Sequence, residues 1–366
     1  MSLSSLLNIA LGDPLHAARS RRAMGYMGWD VPVELLLAAD AVPVQLNALA
    51  HPGDTVLADR FLEASFSAQS RIVADRWLAG DLDGLDAVIF SRSDDSAQRL
   101  YYYLCELQRM GECKGPKPLL YDLARIRREA SVAHTIESTR ALAVAVGADE
   151  SRLMAELERV VAREKLLGEL ATLRMGDGVP LGCEAYRIVR GARTEWSAEF
   201  DESLRQWLSR PTTVEPRKRV LLVGSVPSDD HVHRTIESDG VVVVGEINEA
   251  TSMASIPTPA VTPGQVSVAG NVVETIARRC YDRTNAIGAL LQSPADLVEV
   301  ARKLRADGVI IWMLATDTGL AWEAPRMERA LREAKLPTLM LTSQPQTLSP
   351  DALTQIAQFK RALEAS

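Results

Sequence analysis

Acidic residues directly follow two apolar runs of the sequence. The run AVIF ends at Phe90 and precedes SRSDDS, which contains Asp94 and Asp95, and the run VIIWML precedes ATDTG, which contains Asp317. In an open α/β sheet, ligands bind beyond the carboxyl ends of the strands. The carboxylates therefore have two interpretations. They hold a hard cation or transfer protons, or they only cap the helices that follow.

Other chemistry-bearing patterns in the chain are weaker. VLLVGS (220–225) and the polar loop after it could present N–H groups to an anion, but neither GxGxxG nor GxxxxGK[ST] is present. His231 and His233, on a strand face or loop edge beside Asp229 and Asp230, lack a third metal ligand of known proximity. Ser-His-Asp catalysis has no nucleophile elbow (GxSxG) to support it.

Composition narrows the class of protein. The 366 residues carry a net charge of −7, and the calculated pI of about 5.4 argues against a nucleic-acid partner. No apolar run approaches the length of a membrane span. At the N-terminus the basic residues follow the apolar part, the reverse of a signal peptide. We therefore expect a cytoplasmic protein with no nucleic-acid or membrane partner.

The four cysteines, Cys105, Cys113, Cys183 and Cys280, are widely and irregularly spaced. Their spacing matches no common zinc or redox motif. We expect isolated, reduced thiols that pack as small hydrophobic side chains.

The order of apolar and helical segments predicts the fold class. Short apolar strands alternate with helical segments at both ends of the chain, which favours parallel sheets built from βαβ units. Residues 22–46 indicate a polar corner, a helix and a strand, whereas 128–174 indicate helix throughout. We predict an α/β protein with two Rossmann-like lobes, 1–127 and 215–366, joined by a helical connector, 128–214.

Several of these segments resemble one known family, that of 2-hydroxyacyl-CoA dehydratases and benzoyl-CoA reductases. GYMGWDVPVELLLAADAVPVQL resembles its N-terminal signature, and LDAVIFSRSDDSAQRLYYYL resembles its strand, cysteine loop and Arg-Leu-Tyr helix. LLYDLARIRRE resembles its Leu-Asp-Leu-Pro-Arg stretch, with Ala124 where proline is usual. RVLLVGS…DGVVVVGE and ADGVIIWMLATDTGLAWEAPRMERALREAKLPTLML resemble its C-terminal domain. The resemblance covers nearly the whole chain in matching order.

The resemblance implies a fold, a cofactor and partners. Enzymes of the family are heterodimers of related two-lobed subunits, and each subunit binds a [4Fe–4S] cluster through three cysteines between its lobes. An ATP-dependent activator injects one electron. The cluster-bearing core then removes water from a 2-hydroxyacyl-CoA or reduces an aromatic ring, and the protein positions and tunes the cofactor.

The sequence departs from the family at all three cluster ligands. The family cysteines align with Ser67, Asp94 and Asp317, and none of the four cysteines present lies at these positions. Iron–sulfur clusters are held chiefly by thiolates. We therefore expect no [4Fe–4S] cluster and no other cofactor in this chain, with Mg²⁺ or Mn²⁺ kept as an open alternative.

The resemblance also gives candidate residues for an acyl-CoA or aryl-CoA cleft between the lobes, lined by 26–30, 65–71, 91–96 and 316–323. Tyr26, Trp29 and Glu34 are expected near the ligand, with Arg99 and Tyr101 supporting the corner at Asp94.

These observations lead to one main hypothesis and two alternatives. The main hypothesis is a divergent, cluster-less subunit that contributes acyl-CoA binding or scaffolding, pairs with a cluster-bearing homologue and serves a system with an ATP-dependent activator. The first alternative is a non-redox lyase or hydrolase with Mg²⁺ or Mn²⁺ on Asp94, Asp317 and Ser67. The second is a non-catalytic homodimer that binds acyl-CoA or has a regulatory role.

Overall fold

The computed structural model of the protein describes residues 1–49, 54–176, 180–210, 217–250 and 271–365, and the side chains of 287–292 are excluded from the description. The chain divides into two compact units. Unit 1 comprises 1–165, 190–203 and 257–285, and unit 2 comprises 166–189, 204–256 and 286–366.

Unit 1 contains a four-stranded sheet in which all strands are parallel, in the order β2-β1-β3-β4. Its strands are β1 (Ala23–Met27), β2 (Val42–Gln45), β3 (Ala87–Ser91) and β4 (Lys117–Tyr121). The parallel order confirms the predicted fold class for this part of the chain.

Unit 2 repeats this arrangement with a second parallel sheet in the order β6-β5-β7-β8. Its strands are β5 (Lys218–Gly224), β6 (Val241–Ile247), β7 (Gly308–Leu314) and β8 (Thr338–Gln344). In both sheets the first strand in sequence lies inside and the second lies at an edge. The two sheets therefore share one topology, although no precise repeat is visible in the sequence.

The described residues form thirteen α-helices. The first seven are α1 (Leu3–Gly12), α2 (Val33–Ala38), α3 (Ala68–Leu78), α4 (Asp95–Met110), α5 (Glu129–Val146), α6 (Glu150–Met175) and α7 (Gly182–Gly191). The other six are α8 (Ala198–Leu208), α9 (His231–Glu237), α10 (Val272–Gln292), α11 (Pro294–Lys303), α12 (Thr318–Glu333) and α13 (Pro350–Glu364). Short 3₁₀ turns occur at His16–Arg19, Leu46–Ala48 and Ala58–Arg60. No helix in the described ranges has the length and apolarity needed to cross a membrane.

Strand β1 is the main difference from the sequence-based prediction, which placed a polar corner at this point. The strand reads AMGYM and is fully buried. It contains no β-branched residue, and Gly25 in its centre is a weak strand former. The glycine nevertheless leaves space for tight packing, because a Cβ there would lie 3.0 Å from Leu85 and Val88 side-chain atoms. Packing between strands therefore overrides local propensity.

Side chains that alternate along the strands build an apolar layer on each face of each sheet. In β3, Ile89 belongs to one buried cluster and Phe90 to the other. In β5, Leu222 and Val223 divide in the same way. This period of two is the pattern of a strand covered on both faces.

Arg163 on α6 fixes an irregular segment within unit 1. Its side chain is 3 % exposed. It donates hydrogen bonds to the carboxylate of Asp201 at 2.6 Å and to the carbonyls of Ala192, Glu195 and Ser197 at 3.0, 2.6 and 3.3 Å. The guanidinium also lies over the ring of Trp196, 4.4 Å from its centroid. One buried cation thus satisfies several backbone acceptors of a loop that has no strand partner.

We predict that Arg163→Met lowers the free energy of unfolding by about 3–5 kcal/mol, because it leaves the Asp201 carboxylate and the loop carbonyls without their donor. Urea denaturation followed by circular dichroism measures this loss. Arg278→Met is the matched control, since Arg278 is 55 % exposed and pairs with Glu274 one turn away. Its loss should stay near 0.5 kcal/mol or below. Equal losses in the two variants would contradict the role given to Arg163.

Candidate functional site

The candidate site lies at the carboxyl edge of the unit 1 sheet, where the strand order reverses. From β1 the chain continues to β2 on one side and then to β3 on the other. In sheets of this kind the reversal opens a crevice in which ligands bind. The loop after β1 carries Asp30, and the loop after β3 carries Asp94.

Gly28 allows the two loops to approach each other closely. Its φ of +105° is in the left-handed region, and a Cβ at this position would lie only 2.5 Å from Cβ of Ser91. Its N–H donates to the side chain of Asn47 at 3.1 Å. Any other residue at position 28 would therefore be strained and would collide with the end of β3.

Asp30 has a buried carboxylate without a protein partner in the described part of the chain. The residue is 3 % exposed, and neither carboxylate oxygen has a hydrogen-bond partner there. Its Oδ1 lies 3.2 Å from the point that a Gly28 Cβ would occupy, and Oγ of Ser91 lies 3.4 Å from the same point. Asp30 thus reaches back over the end of β1 towards the end of β3. An unpaired buried acid carries a large free-energy cost.

Asp94 is the N-cap of α4. Its Oδ1 accepts a hydrogen bond from the N–H of Ala97 at 3.1 Å. Burial raises the pKa of the Asp94 carboxyl, hydrogen bonds from the backbone of Ala97 and Ser96 oppose this change, and the charge of Asp30 raises the pKa further. Asp94 therefore caps α4, which is one of the two interpretations drawn from the sequence. Asp30 is the second acid that affects its pKa.

Ser67 is the N-cap of α3, and its hydroxyl accepts from the N–H of Ser70 at 3.2 Å. The N–H of Ser67 in turn donates to Oγ of Ser96 at 2.8 Å, and Ser96 lies in the first turn of α4. The structure therefore brings Ser67 and Asp94 to neighbouring helix starts within unit 1.

Arg99 and Tyr101 extend from α4. Arg99 donates to Glu63 at 2.9 Å and to Oγ of Ser65 at 3.0 Å, and its guanidinium lies 4.2 Å from the ring centroid of Phe66. These contacts hold the segment that leads into Ser67. The ring of Tyr101 packs against Phe90 with centroids 6.1 Å apart. Support of the corner at Asp94 and a ligand-binding role for the two residues stay predictions.

The other three candidates from the first signature are buried in unit 1. Tyr26 is fully buried and donates its hydroxyl to the carbonyl of Arg193 at 2.9 Å. Trp29 is 8 % exposed, and the guanidinium of Arg190 lies 5.8 Å from its ring centroid. Glu34 is 3 % exposed in the short helix α2. Their part in binding acyl-CoA stays a prediction.

Buried charges surround Glu34. Burial raises its pKa, whereas the charge of Arg279 opposes this change. Arg279 and Arg283 of α10 both bind the carboxylate of Glu164, at 2.7 and 2.8 Å. Although burial works against its charged form, the two arginines lower the pKa of Glu164. The pKa of Glu164 is thus lowered by two paired arginines, whereas the pKa of Glu34 is raised by burial.

Gln45, the last residue of β2, adds unsatisfied polar atoms to this unit. Its side chain has no exposed surface, and neither amide atom has a hydrogen-bond partner among the described residues. In the register of the sheet Gln45 lies beside Tyr26. A buried amide without partners is rare in native proteins.

Asp317 lies at the corresponding point of the unit 2 sheet and caps α12. Its Oδ1 accepts from the N–H of Leu320 at 3.3 Å, and its Oδ2 accepts from the hydroxyl of Ser225 at 2.9 Å. Like Asp94, it comes three residues after the end of its strand. Both oxygens of Asp317 are therefore used within unit 2, in contrast to the oxygens of Asp30 in unit 1.

The histidine segment of unit 2 is a helix rather than the expected strand face or loop edge. His231 and His233 belong to α9, where Asp229 and Asp230 precede the first turn. His233 is fully buried, and its Nε2 lies 3.2 Å from Oε1 of Glu246. Because His233 packs inside unit 2 and has no exposed surface, the pair has a structural role and is not an open metal site.

The donor groups do not suit an iron–sulfur cluster. Ser67, Asp94 and Asp317 present oxygen, and each is engaged as a helix cap. Within the ranges that the structure covers, no three His, Cys, Asp or Glu side chains gather closely enough to hold a metal ion. Burial raises the pKa of the Cys280 thiol to about 12, which disfavours the thiolate that a cluster needs. The side chains at the three family positions therefore do not fit a [4Fe–4S] cluster.

Sequence reasoning included Asp30 in the expected cleft lining 26–30 but did not single it out, and it missed the charges around Glu34. Asp30 follows Trp29 at the end of β1, so the rule applied to Asp94 and Asp317 would have selected it had β1 been predicted as a strand. Arg279 and Arg283, one turn apart on α10, gave no local signal, because their partner Glu164 is distant in sequence.

Comparison with known proteins identifies two similar groups. The family model of the 2-hydroxyglutaryl-CoA dehydratase D-component matches residues 28–365. The β subunit of (R)-phenyllactyl-CoA dehydratase from Clostridium sporogenes is 21 % identical over 358 residues, which cover 94 % of this chain and 92 % of that protein. Both matches extend over nearly the whole chain.

We predict a pH-dependent effect of Asp94→Asn, which keeps an N-cap but cannot ionise. The raised pKa of Asp94 means that its contribution to stability is present below the pKa of the unfolded chain and is lost as pH rises through the folded-state value. The variant should therefore gain stability relative to the wild type between about pH 4 and pH 7. Urea denaturation across this range measures the difference.

Asp149→Asn gives a control of opposite sign. Hydrogen bonds from Ser151 lower the pKa of Asp149, so its contribution is present above the unfolded pKa and is lost as pH falls. That variant should lose stability relative to the wild type as pH rises. If the difference in stability between Asp94→Asn and the wild type does not change with pH, this would contradict the burial of the Asp94 carboxyl.

Proposed function

Because the chain belongs to the family of the 2-hydroxyglutaryl-CoA dehydratase D-component, we propose that it is a cluster-less subunit of a 2-hydroxyacyl-CoA dehydratase or benzoyl-CoA-reductase-like system. The observation that carries the proposal is the replacement of all three expected thiolates by oxygen groups. Ser67, Asp94 and Asp317 each use that oxygen to cap a helix.

Donor chemistry supports the cluster-less part of the proposal. Iron–sulfur clusters are held by soft thiolate ligands, whereas hydroxyl and carboxylate oxygens suit hard cations. The remaining cysteines offer no substitute set, since Cys280 is buried in α10 while Cys105 and Cys183 lie in α4 and α7. The redox step of the system would then take place on another subunit.

A partner subunit is the second part of the proposal. The similar protein from Clostridium sporogenes is named as a β subunit, so its dehydratase has at least one further kind of chain. By analogy we place this chain beside a homologue that carries the cluster, with an ATP-dependent activator serving the pair. A self-dimer is the alternative assembly.

The role that we assign to this chain is binding of acyl-CoA or aryl-CoA by unit 1. Tyr26, Trp29 and Glu34 give that unit two aromatic side chains and one buried acid close to the carboxyl edge of the sheet. In this proposal Arg99 and Tyr101 would hold the neighbouring corner in position. The chain's own residues would bind and orient the thioester and exclude water, while a cluster on the partner would supply the electron.

Anaerobic reconstitution with iron and sulfide tests the cluster-less state. The purified chain should develop no stable absorption or electron paramagnetic resonance signal of a 4Fe cluster. The triple variant Ser67→Cys, Asp94→Cys and Asp317→Cys restores the thiolates at the family positions and should bind more iron than the wild type. A stable 4Fe signal from the wild type alone would overturn the proposal.

Calorimetric titration with a 2-hydroxyacyl-CoA tests the binding role separately. We expect saturable binding to the chain alone, with a Kd of roughly micromolar, equivalent to about −8 kcal/mol. Titration with free CoA is the control and should give weaker binding, because the acyl group is then missing. No heat with either ligand at millimolar concentration would refute acyl-CoA binding by this chain.

A further inference from the structure

The loop between β4 and α5 carries a basic patch on the surface of unit 1. Residues 122–128 have the sequence DLARIRR, in which Arg125, Ile126, Arg127 and Arg128 are all exposed. The side chain of Ile126 is 63 % exposed, which is high for a large apolar residue. Because β4 is parallel to β3, this loop lies at the same carboxyl edge of the sheet as the candidate site.

Hydrogen bonds from two helices hold the backbone of this loop. The phenol of Tyr281 on α10 donates to the carbonyl of Ile126 at 2.9 Å and accepts from the N–H of Arg128 at 3.2 Å. The N–H groups of Asp122 and Ala124 donate to side-chain hydroxyls of α5 at 3.2 and 3.4 Å. The arginines therefore extend from a backbone that is already ordered, and preorganisation of this kind favours binding.

Arg127 and Arg128 have only uncharged partners. Arg127 donates to the carbonyl of Asn285 at 3.1 Å, and Nε of Arg128 donates to Oγ of Ser131 at 3.3 Å. Among the residues that the structure describes, neither guanidinium forms an ion pair with a carboxylate. Since a guanidinium has five N–H donors, both side chains keep donors for a ligand.

The acids next to these arginines in sequence do not neutralise them by contact. Asp122 binds Arg92 at 2.7 and 2.8 Å and lies 3.2 Å from Nε2 of His134. Glu129, in the first turn of α5, is exposed, and in the described part of the chain it pairs with neither arginine. The two guanidiniums therefore keep their charge available to an anion from solution.

We propose that Arg127 and Arg128 bind the phosphate groups at the nucleotide end of an acyl-CoA, an inference that rests on the proposed function. The planar fork of arginine matches phosphate geometry, and the hydrogen bonds that form are charge-assisted. CoA carries a diphosphate and a 3′-phosphate on its adenosine, so one ligand can contact both guanidiniums. In the sheet, β3 separates β4 from β1, so phosphates bound after β4 leave the loops after β1 and β3 to the acyl end.

Ile126 favours a nucleotide over a simple anion. Its exposed side chain lies between Arg125 and Arg127 in the sequence. Burial of this apolar surface against a purine ring is favourable, whereas inorganic phosphate offers no apolar surface. Guanidinium groups also stack on aromatic rings. An adenine that carries phosphates therefore suits both parts of the patch.

Calorimetric titration of the whole chain with a 2-hydroxyacyl-CoA tests the patch. The double variant Arg127→Gln and Arg128→Gln should bind this ligand about tenfold more weakly or worse, because hydrogen bonds to charged groups are lost. Adenosine 3′,5′-bisphosphate should bind the wild type and lose affinity in the same variant. The corresponding acyl-pantetheine, which lacks the phosphates and the adenosine, should bind the wild type and the variant equally.

The double variant Arg21→Gln and Arg140→Gln is the matched control. Both arginines are exposed in unit 1, where Arg21 precedes β1 at the amino edge of the sheet and Arg140 lies on α5, twelve residues after Arg128. This variant removes the same charge and should keep wild-type affinity for all three ligands. Circular dichroism checks that each variant is folded, and if the Arg127 and Arg128 double variant does not fold, Arg127→Gln alone decides.

The outcomes separate this inference from the proposed function. If the folded variant binds the acyl-CoA as tightly as the wild type, the phosphate site is overturned while acyl-CoA binding stands, and an acidic partner protein becomes the occupant to test. If the wild type binds the bisphosphate, the variant does not, and neither binds acyl-pantetheine, the phosphate site is supported and recognition of the acyl group is refuted. No binding of any of the three ligands by the wild type at millimolar concentration overturns both.

Discussion

The need to cap helix N-termini at the carboxyl edges of the two sheets governs the candidate site. Each helix begins with N–H groups that have no partner inside the helix, and a side-chain oxygen must accept from them. Ser67, Asp94 and Asp317 meet this need for α3, α4 and α12. Because these are the positions that the family resemblance gives to cluster ligands, one side chain would serve both the helix and the metal. Oxygen groups at these positions therefore preserve the folded structure even when they no longer suit a cluster.

The electrostatic field of a helix N-terminus stabilises both a cysteine thiolate and a carboxylate, but the two groups prefer different metals. A helix N-terminus lowers the pKa of a cysteine and favours the thiolate that binds iron, and it equally favours a carboxylate. Replacement of thiolate by carboxylate thus keeps the negative charge at the helix start and changes the preferred metal from soft to hard. Asp94 shows the limit of this effect, since burial and the nearby Asp30 raise its pKa despite two backbone donors.

The sequence was sufficient for the fold class and for most strands, because β3 and β5–β7 are apolar runs rich in β-branched or large side chains. It failed at β1, which has no β-branched residue and carries Ala23 and Gly25, two residue types that are depleted in strands, and which pairs with β3. For that reason Asp30 was covered only as part of the range 26–30 and was not identified as an acid at a strand end. The pairing of Glu164 with Arg279 could not be predicted, because it joins residues that are distant in sequence and depends on how α6 and α10 pack.

Buried acids elsewhere in the chain show what Asp30 lacks. Glu164 in unit 1 has two arginines, Arg279 and Arg283. Glu246 in unit 2 has His233 and Arg174 within 3.2 and 3.4 Å, and although burial acts in the opposite direction these groups lower its pKa to about 2. Removing one partner from such a pair is strongly destabilising, so buried charge is retained only with its counter-charge. The described residues supply Arg279 and Arg283 to Glu164 and Arg174 and a histidine to Glu246, whereas they supply no hydrogen-bond partner to either carboxylate oxygen of Asp30.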